Sequence, residues 1–224
     1  MARKIIKYLI TIILIPALII TGAFVFPQRS FTYISLCVIF LACVPFFLSF
    51  EKKSSTRRIV LLAVMTALSV AGRFIFAPLP FFKPVTAMVV IAGMYFGSEF
   101  GFLTGALSAA ISNFYFGQGA WTPFQMFSWG IIGFVAGILS NPLIKSKVVL
   151  IIYAVFAGVA YSFLMDIWTV LWMDGAFNPA RFIAAVGTAF PVTLEYIVSN
   201  IVFLLILAPM FGKKIERLKT KYGI

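Results

Sequence analysis

Apolar residues in this chain run in long blocks separated by short polar punctuation, with neither the strict alternation of a half-buried strand nor the single apolar stripe of a surface helix. Blocks of about 17 to 25 residues are what a hydrocarbon core about 30 Å thick requires of a helix. The pattern predicts eight such spans, at about 5 to 25, 31 to 50, 58 to 77, 84 to 97, 101 to 116, 123 to 141, 148 to 173 and 183 to 210. The fourth and fifth are short and joined by GSEFG at Gly97 to Gly101, which suits tilted or partly re-entrant helices. A transmembrane barrel would show weaker segments of alternating polarity, and none is visible. The expected fold class is therefore an all-α integral membrane protein.

Composition agrees. Hydrophobic residues make up 62% of the chain and charged residues 11%, with a mean hydropathy of +1.09, against about 45 to 50% apolar and 25% charged in soluble domains. The net charge of +12 becomes a topology signal once the basic residues are placed, because short loops rich in Lys and Arg stay cytoplasmic. With the N-terminus inside, the inner segments carry Arg3, Lys4, Lys7, Lys52, Lys53, Arg57, Arg58, Lys145, Lys147, Lys213, Lys214, Arg217, Lys219 and Lys221. The outer loops carry only Arg29, Lys83 and Arg181. This asymmetry predicts a plasma-membrane protein with both termini in the cytoplasm, and the basic surface suits anionic lipid heads rather than nucleic acid. A cleaved signal peptide over MARKIIKYLITIILIPALIITGA is the competing reading of the N-terminus. It would leave the EKKSSTRR loop on the wrong side.

Several chemistries are excluded. There is no histidine, the commonest general base and metal ligand. Cys37 and Cys43 fall six apart in the second span, off a common helical face, and read as small apolar residues rather than a disulfide or metal pair. No phosphate-binding G-x-x-x-x-G-K-[ST] loop occurs, so the chain has no ATP site of its own. No catalytic residue, metal site or cofactor is expected. An intramembrane enzyme would have to use Asp166 with Asp174 or Glu195 as acid and base, without a nucleophile motif.

Three charges lie at membrane depth: Arg73, Asp166 and Glu195. Such groups are costly and usually face a bundle interior or a watery cavity. Arg73 and Asp166 fall in the outer halves of their spans, where they pair with each other, line a site, or both. The stretch AISNFYFGQGAWTPFQMFSWGIIGF, Ala110 to Phe134, brings Asn113, Gln118, Trp121, Gln125 and Trp129 to the same level. Aromatic surface with a few placed polar groups is what a ligand pocket needs. With Trp172, these residues form the candidate substrate site. The competing role for Trp121, Trp129, Trp168 and Trp172 is the interfacial aromatic belt, and for Asn113 and Gln125 a bridge between helices.

Small residues recur at four-residue spacing. Ala63, Ala67 and Ala71 form a flat stripe on the third span that lets another helix approach closely. Gly101, Gly105 and Ala109 in the fifth span, and Gly133 and Gly137 in the sixth, are read as internal packing.

From Arg57 onward the residues resemble the substrate-binding S components of energy-coupling factor (ECF) transporters, vitamin importers of prokaryotes. The resemblance rests on the alanine pattern, on the block KPVTAMVVIAGMYFGSEFGFLTGALSAAISNFYFGQGAWTPFQMFSWGIIGFVAGIL from Lys83 to Leu139, and on the pattern from Asn200 to Gly223. Within the family the long block is most similar to cobalamin-associated members. The resemblance implies a six-helix core at 57–224 that captures a vitamin, cobalamin by this similarity, at the extracellular face and docks onto a membrane coupling subunit and two ATPases. It also implies that Ala63, Ala67 and Ala71 contact the coupling subunit. Residues 1–56, a hairpin of two spans with a cytoplasmic linker, are extra to that pattern. Riboflavin, pantothenate or a similar vitamin, and a stand-alone secondary transporter, are the alternatives.

Overall fold

The computed structural model describes residues 56–222, apart from the Tyr222 side chain; the first two expected spans lie outside these residues. Seven helices follow one another with no strand among the described residues: α1 Thr56–Ile75, α2 Val85–Phe96, α3 Ser98–Phe116, α4 Thr122–Ile138, α5 Ser140–Lys145, α6 Lys147–Asp174 and α7 Pro179–Tyr222. Successive long helices run antiparallel. Loops 76–84, 117–121 and 175–178 therefore share one end of the bundle, while the α2–α3 break, α5 and the end of α7 share the other.

Helices occupy the positions of the expected third to seventh spans to within a few residues. Among the described residues, α1, α6 and α7 are long and apolar enough to cross a membrane. The fourth span is α2, twelve residues long and so only about 18 Å. It is buried continuously from Val85 to Met94. A helix that is apolar all round is stable only when enclosed, and α2 is enclosed by α3, α4, α1 and α7. The helix at the eighth span continues well past 210: α7 reaches Tyr222 through KKIERLKTK, most of whose residues are good helix formers. Lys219 Nζ donates to the Tyr95 carbonyl and lies 5.7 Å over the Phe96 ring, tying the α7 extension to the end of α2.

Glycine makes the centre possible. A Cβ on Gly133 of α4 would collide with the Gly101 backbone of α3, and one on Gly101 with the Gly133 backbone, so the two helices touch through bare main chain. Gly97 holds φ 100 at the one-residue break between α2 and α3, a conformation that side-chain-bearing residues rarely adopt. The inverse pattern covers the outside. Val60, Val64, Leu68, Ile152, Phe156, Ile183, Phe190 and Val198 are exposed on α1, α6 and α7, the apolar coat a bilayer demands.

Candidate functional site

Arg73 occupies the last turn of α1 and points inward. Its Nη1 donates to Ser112 Oγ and, at 2.8 Å, to Asn113 Oδ1. Its guanidinium carbon lies 4.6 Å from the Phe116 ring centroid and 5.2 Å from that of Trp129. Guanidinium is donor-only, so it fixes the Asn113 amide with oxygen toward α1 and nitrogen away. Asn113 Nδ2 then donates to Thr122 Oγ1 at 2.9 Å and to Gln125 Oε1 at 2.8 Å, and Gln125 Nε2 donates to Tyr161 Oη at 3.2 Å. Asn113, only 1% exposed, thereby has both its oxygen and its amide nitrogen satisfied and joins α1, α3, α4 and α6 in one relay.

The relay supports an aromatic wall. Trp129 and Tyr161 stack at 5.2 Å with 18° between planes, Tyr161 meets Tyr196 edge-on at 5.0 Å, and Tyr196 meets Phe81 edge-on at 5.7 Å. These residues, with Arg73, Lys83, Thr86, Gln125 and Asn200, line a cavity of about 350 Å³ at the end of the bundle that carries the 76–84 loop. That loop forms one side through Pro80, Phe81 and Lys83. It is anchored to α7: the Lys83 backbone N–H donates to Ser199 Oγ at 3.0 Å, and Ser199 Oγ donates to the Lys83 carbonyl at 3.1 Å. Phe76 and Phe82 pack on Phe203, at 4.9 and 5.0 Å between centroids. Lys83 Nζ rests 3.1 Å from the Leu79 carbonyl. Burial lowers its pKa, and the positive charge of Arg73 lowers it further.

Of the residues expected to form a substrate site, Arg73, Gln125 and Trp129 line this cavity. Asn113 stands directly behind them. Gln118 instead accepts from Thr122 at 3.0 Å and donates to the Ala110 carbonyl, bracing the 117–121 loop. Trp121 and Trp172 flank Trp168, at 6.0 and 6.2 Å, in a separate aromatic group, and Trp172 is 57% exposed. Asp166 does not line the cavity, and the expected Arg73–Asp166 pair does not form. Arg73 is held by neutral acceptors on α3, while Asp166 Oδ2 is buried without a hydrogen-bond partner. The ion pair observed near this end joins Arg181 to Asp174 at 2.6 Å. Glu195 is exposed on α7. Sequence reasoning missed Phe81, Lys83, Thr86, Tyr161, Tyr196 and Asn200 as lining residues. Tyr161 and Tyr196 sit among other apolar residues with no spacing that sets them apart, but Lys83 was legible as a rare outer-loop cation.

Ala63, Ala67 and Ala71 all lie exposed along α1, on the side away from buried Leu62, Met65, Thr66, Ser69 and Val70. No group of three metal-binding side chains occurs among the described residues. A family model described as ECF-type riboflavin transporter, S component, matches residues 53–217, nearly three quarters of the chain. That description carries riboflavin, and the cobalamin association of the Lys83 to Leu139 block has no counterpart in it. No solved structure matches the chain.

Proposed function

Because the chain belongs to the ECF-type riboflavin transporter S component family, and so is a membrane transporter subunit that works with a coupling subunit and ATPases, we propose that its cavity captures a compact, planar vitamin of about flavin size and that the alanine face of α1 hands the loaded subunit to the coupling subunit. The observation that carries this is the cavity itself. At about 350 Å³ it lies at the small end of the range for ligand sites, about 300 to 1,000 Å³. Trp129, Tyr161 and Tyr196 offer stacking surface, and Gln125, Asn200 and Thr86 offer hydrogen bonds.

The distribution of basic residues supports an extracellular position for this cavity. Arg57, Arg58, Lys145, Lys147, Lys213, Lys214, Arg217, Lys219 and Lys221 gather at the opposite end, which the positive-inside rule assigns to the cytoplasm. The proposed topology keeps the C-terminus inside and, with the 1–56 hairpin ahead of the 57–224 core, the N-terminus as well. The exposed stripe of Ala63, Ala67 and Ala71 supports docking, since a partner helix approaches closely only over small side chains.

Cobalamin is the second reading, favoured by the similarity of the Lys83 to Leu139 block. A corrinoid is several times larger than a flavin, so this reading requires the 76–84 loop to swing off α7. Titration of the purified protein with riboflavin, pantothenate and cobalamin, followed by tryptophan fluorescence, separates the readings. Saturable quenching by the flavin and none by cobalamin is expected; tight cobalamin binding with no flavin response would transfer the assignment to the corrinoid.

A further inference from the structure

Among the described residues, the cavity is lined by two cationic side chains and by no carboxylate. Arg73 and Lys83 both face it, while every other lining residue is neutral. The chain has six acidic residues, and the described ones are engaged or placed elsewhere. Asp174 is paired with Arg181. Glu99 starts α3 and Glu216 lies near the end of α7, both at the far end of the bundle. Glu195 is exposed on α7, and Asp166 lies outside the lining.

Cations at membrane depth are held by counter-charge or by water, and a cleft lined by one sign of charge with apolar walls concentrates the opposite sign. The two hydrogen bonds of Arg73 to described residues both leave Nη1. Nε and Nη2 remain to grip an oxyanion in the forked geometry that suits guanidinium. The positive charge of Arg73 disfavours the charged form of Lys83, a repulsion that an anion between them would relieve.

We propose that the substrate of this cavity carries an oxyanion, a carboxylate or a phosphate, which seats between Arg73 and Lys83 while the planar part of the molecule lies against Trp129, Tyr161 and Tyr196. The inference rests on the reading of this cavity as the substrate site and adds the charge class. A neutral vitamin would stack equally well but leave both cations unmatched.

Matched probes test it: riboflavin against riboflavin 5′-phosphate for the phosphate, and nicotinamide against nicotinate for the carboxylate, titrated into the purified protein. Charge-assisted hydrogen bonds contribute about 1.5 to 3 kcal/mol, so the anionic member of at least one pair should bind roughly ten- to a hundredfold more tightly. The pair that shows the preference identifies the anion. Lys83→Gln, in a loop whose anchor to α7 runs through the Lys83 backbone, should fold normally and weaken the anionic member of that pair more than the neutral one. Arg73→Gln should reduce the preference further. Equal affinity for both members of each pair would overturn the inference while leaving the cavity as a vitamin site, as would equal losses for neutral and anionic probes in Lys83→Gln. If none of the four probes binds and cobalamin does, both the inference and the flavin-sized reading fall.

Discussion

Small residues four apart occur on α1 and again on α3 and α4, yet among the described residues only the second set packs against protein. Gly101 and Gly133 touch backbone to backbone, and Gly105 and Gly137 meet the main chain of Trp129 and Ser98 just as closely. Ala63, Ala67 and Ala71 face outward, and no described residue buries them. The two sets differ in what lies on the rest of each helix. α3 is buried on most of its circumference and has α2 and α4 on either side. α1 buries only the face that carries Leu62, Met65 and Val70. A stripe of small residues therefore specifies close approach, and its surroundings decide whether the approaching helix belongs to the same chain.

The largest expected effect separates the two stripes by stability. Gly133→Leu forces a side chain into the Gly101 carbonyl, where overpacking costs about 1 to 3 kcal/mol or more. Thermal unfolding in detergent should show a large drop, or no folded protein. Ala67→Leu should stay within about 0.5 kcal/mol of the parent. Equal losses would mean that the alanine face is also part of the core.

The same inward and outward division applies to the polar groups. Asn113→Ala removes one of the two acceptors of Arg73 and the donor to Gln125, weakening a buried network at about 1 to 3 kcal/mol. Both stability and ligand affinity should fall. Gln118→Ala, which loses contacts to Thr122 at the start of α4 and to the Ala110 carbonyl of α3 but lies outside the cavity lining, should change affinity far less.

Tryptophans divide likewise, with a smaller effect. Trp129, 6% exposed, lies in the cavity wall, whereas Trp172 lies in the outward group with Trp121 and Trp168. Replacing Trp129 with Leu should weaken ligand binding by about 0.5 to 1.5 kcal/mol in lost aromatic contact. Trp172→Leu should alter binding negligibly in the same titration. The smallest loss is expected at Asp166: Oδ2 is buried without a hydrogen bond, so Asp166→Asn removes a buried unpaired carboxylate and should leave stability unchanged or raised. A loss of several kcal/mol would reveal a cation partner for this carboxylate.

Much of this division was legible in the sequence, and the remainder was not for identifiable reasons. Helix positions followed from apolar block length because every buried backbone group in a bilayer must be satisfied within its own segment. The glycines of α3 and α4 were readable as packing because they occur in two neighbouring spans. Depth along the spans brought Arg73, Gln125 and Trp129 to one level, and they line one cavity, but depth carries no information about azimuth. Asp166 and Trp172 share that level and face elsewhere. Tyr161 and Tyr196 escaped notice because a buried tyrosine in an apolar helix has no distinguishing neighbour in sequence. The extent of α7 was underestimated because hydropathy ends at the membrane surface while helix propensity continues through Lys213 to Lys221.

The central claim is that capture and coupling occupy separate faces: the cavity behind the 76–84 loop and the outward stripe of α1. The most direct measurement is made on one preparation of the Ala63→Trp, Ala67→Trp double variant, expressed with the coupling subunit and ATPases and assayed both for ligand affinity and for co-purification. The account predicts that affinity stays within about twofold of the parent, since no cavity-lining residue is altered, while the partners no longer co-purify because bulky side chains hold the partner helix away. Normal assembly with both tryptophans in place would contradict it.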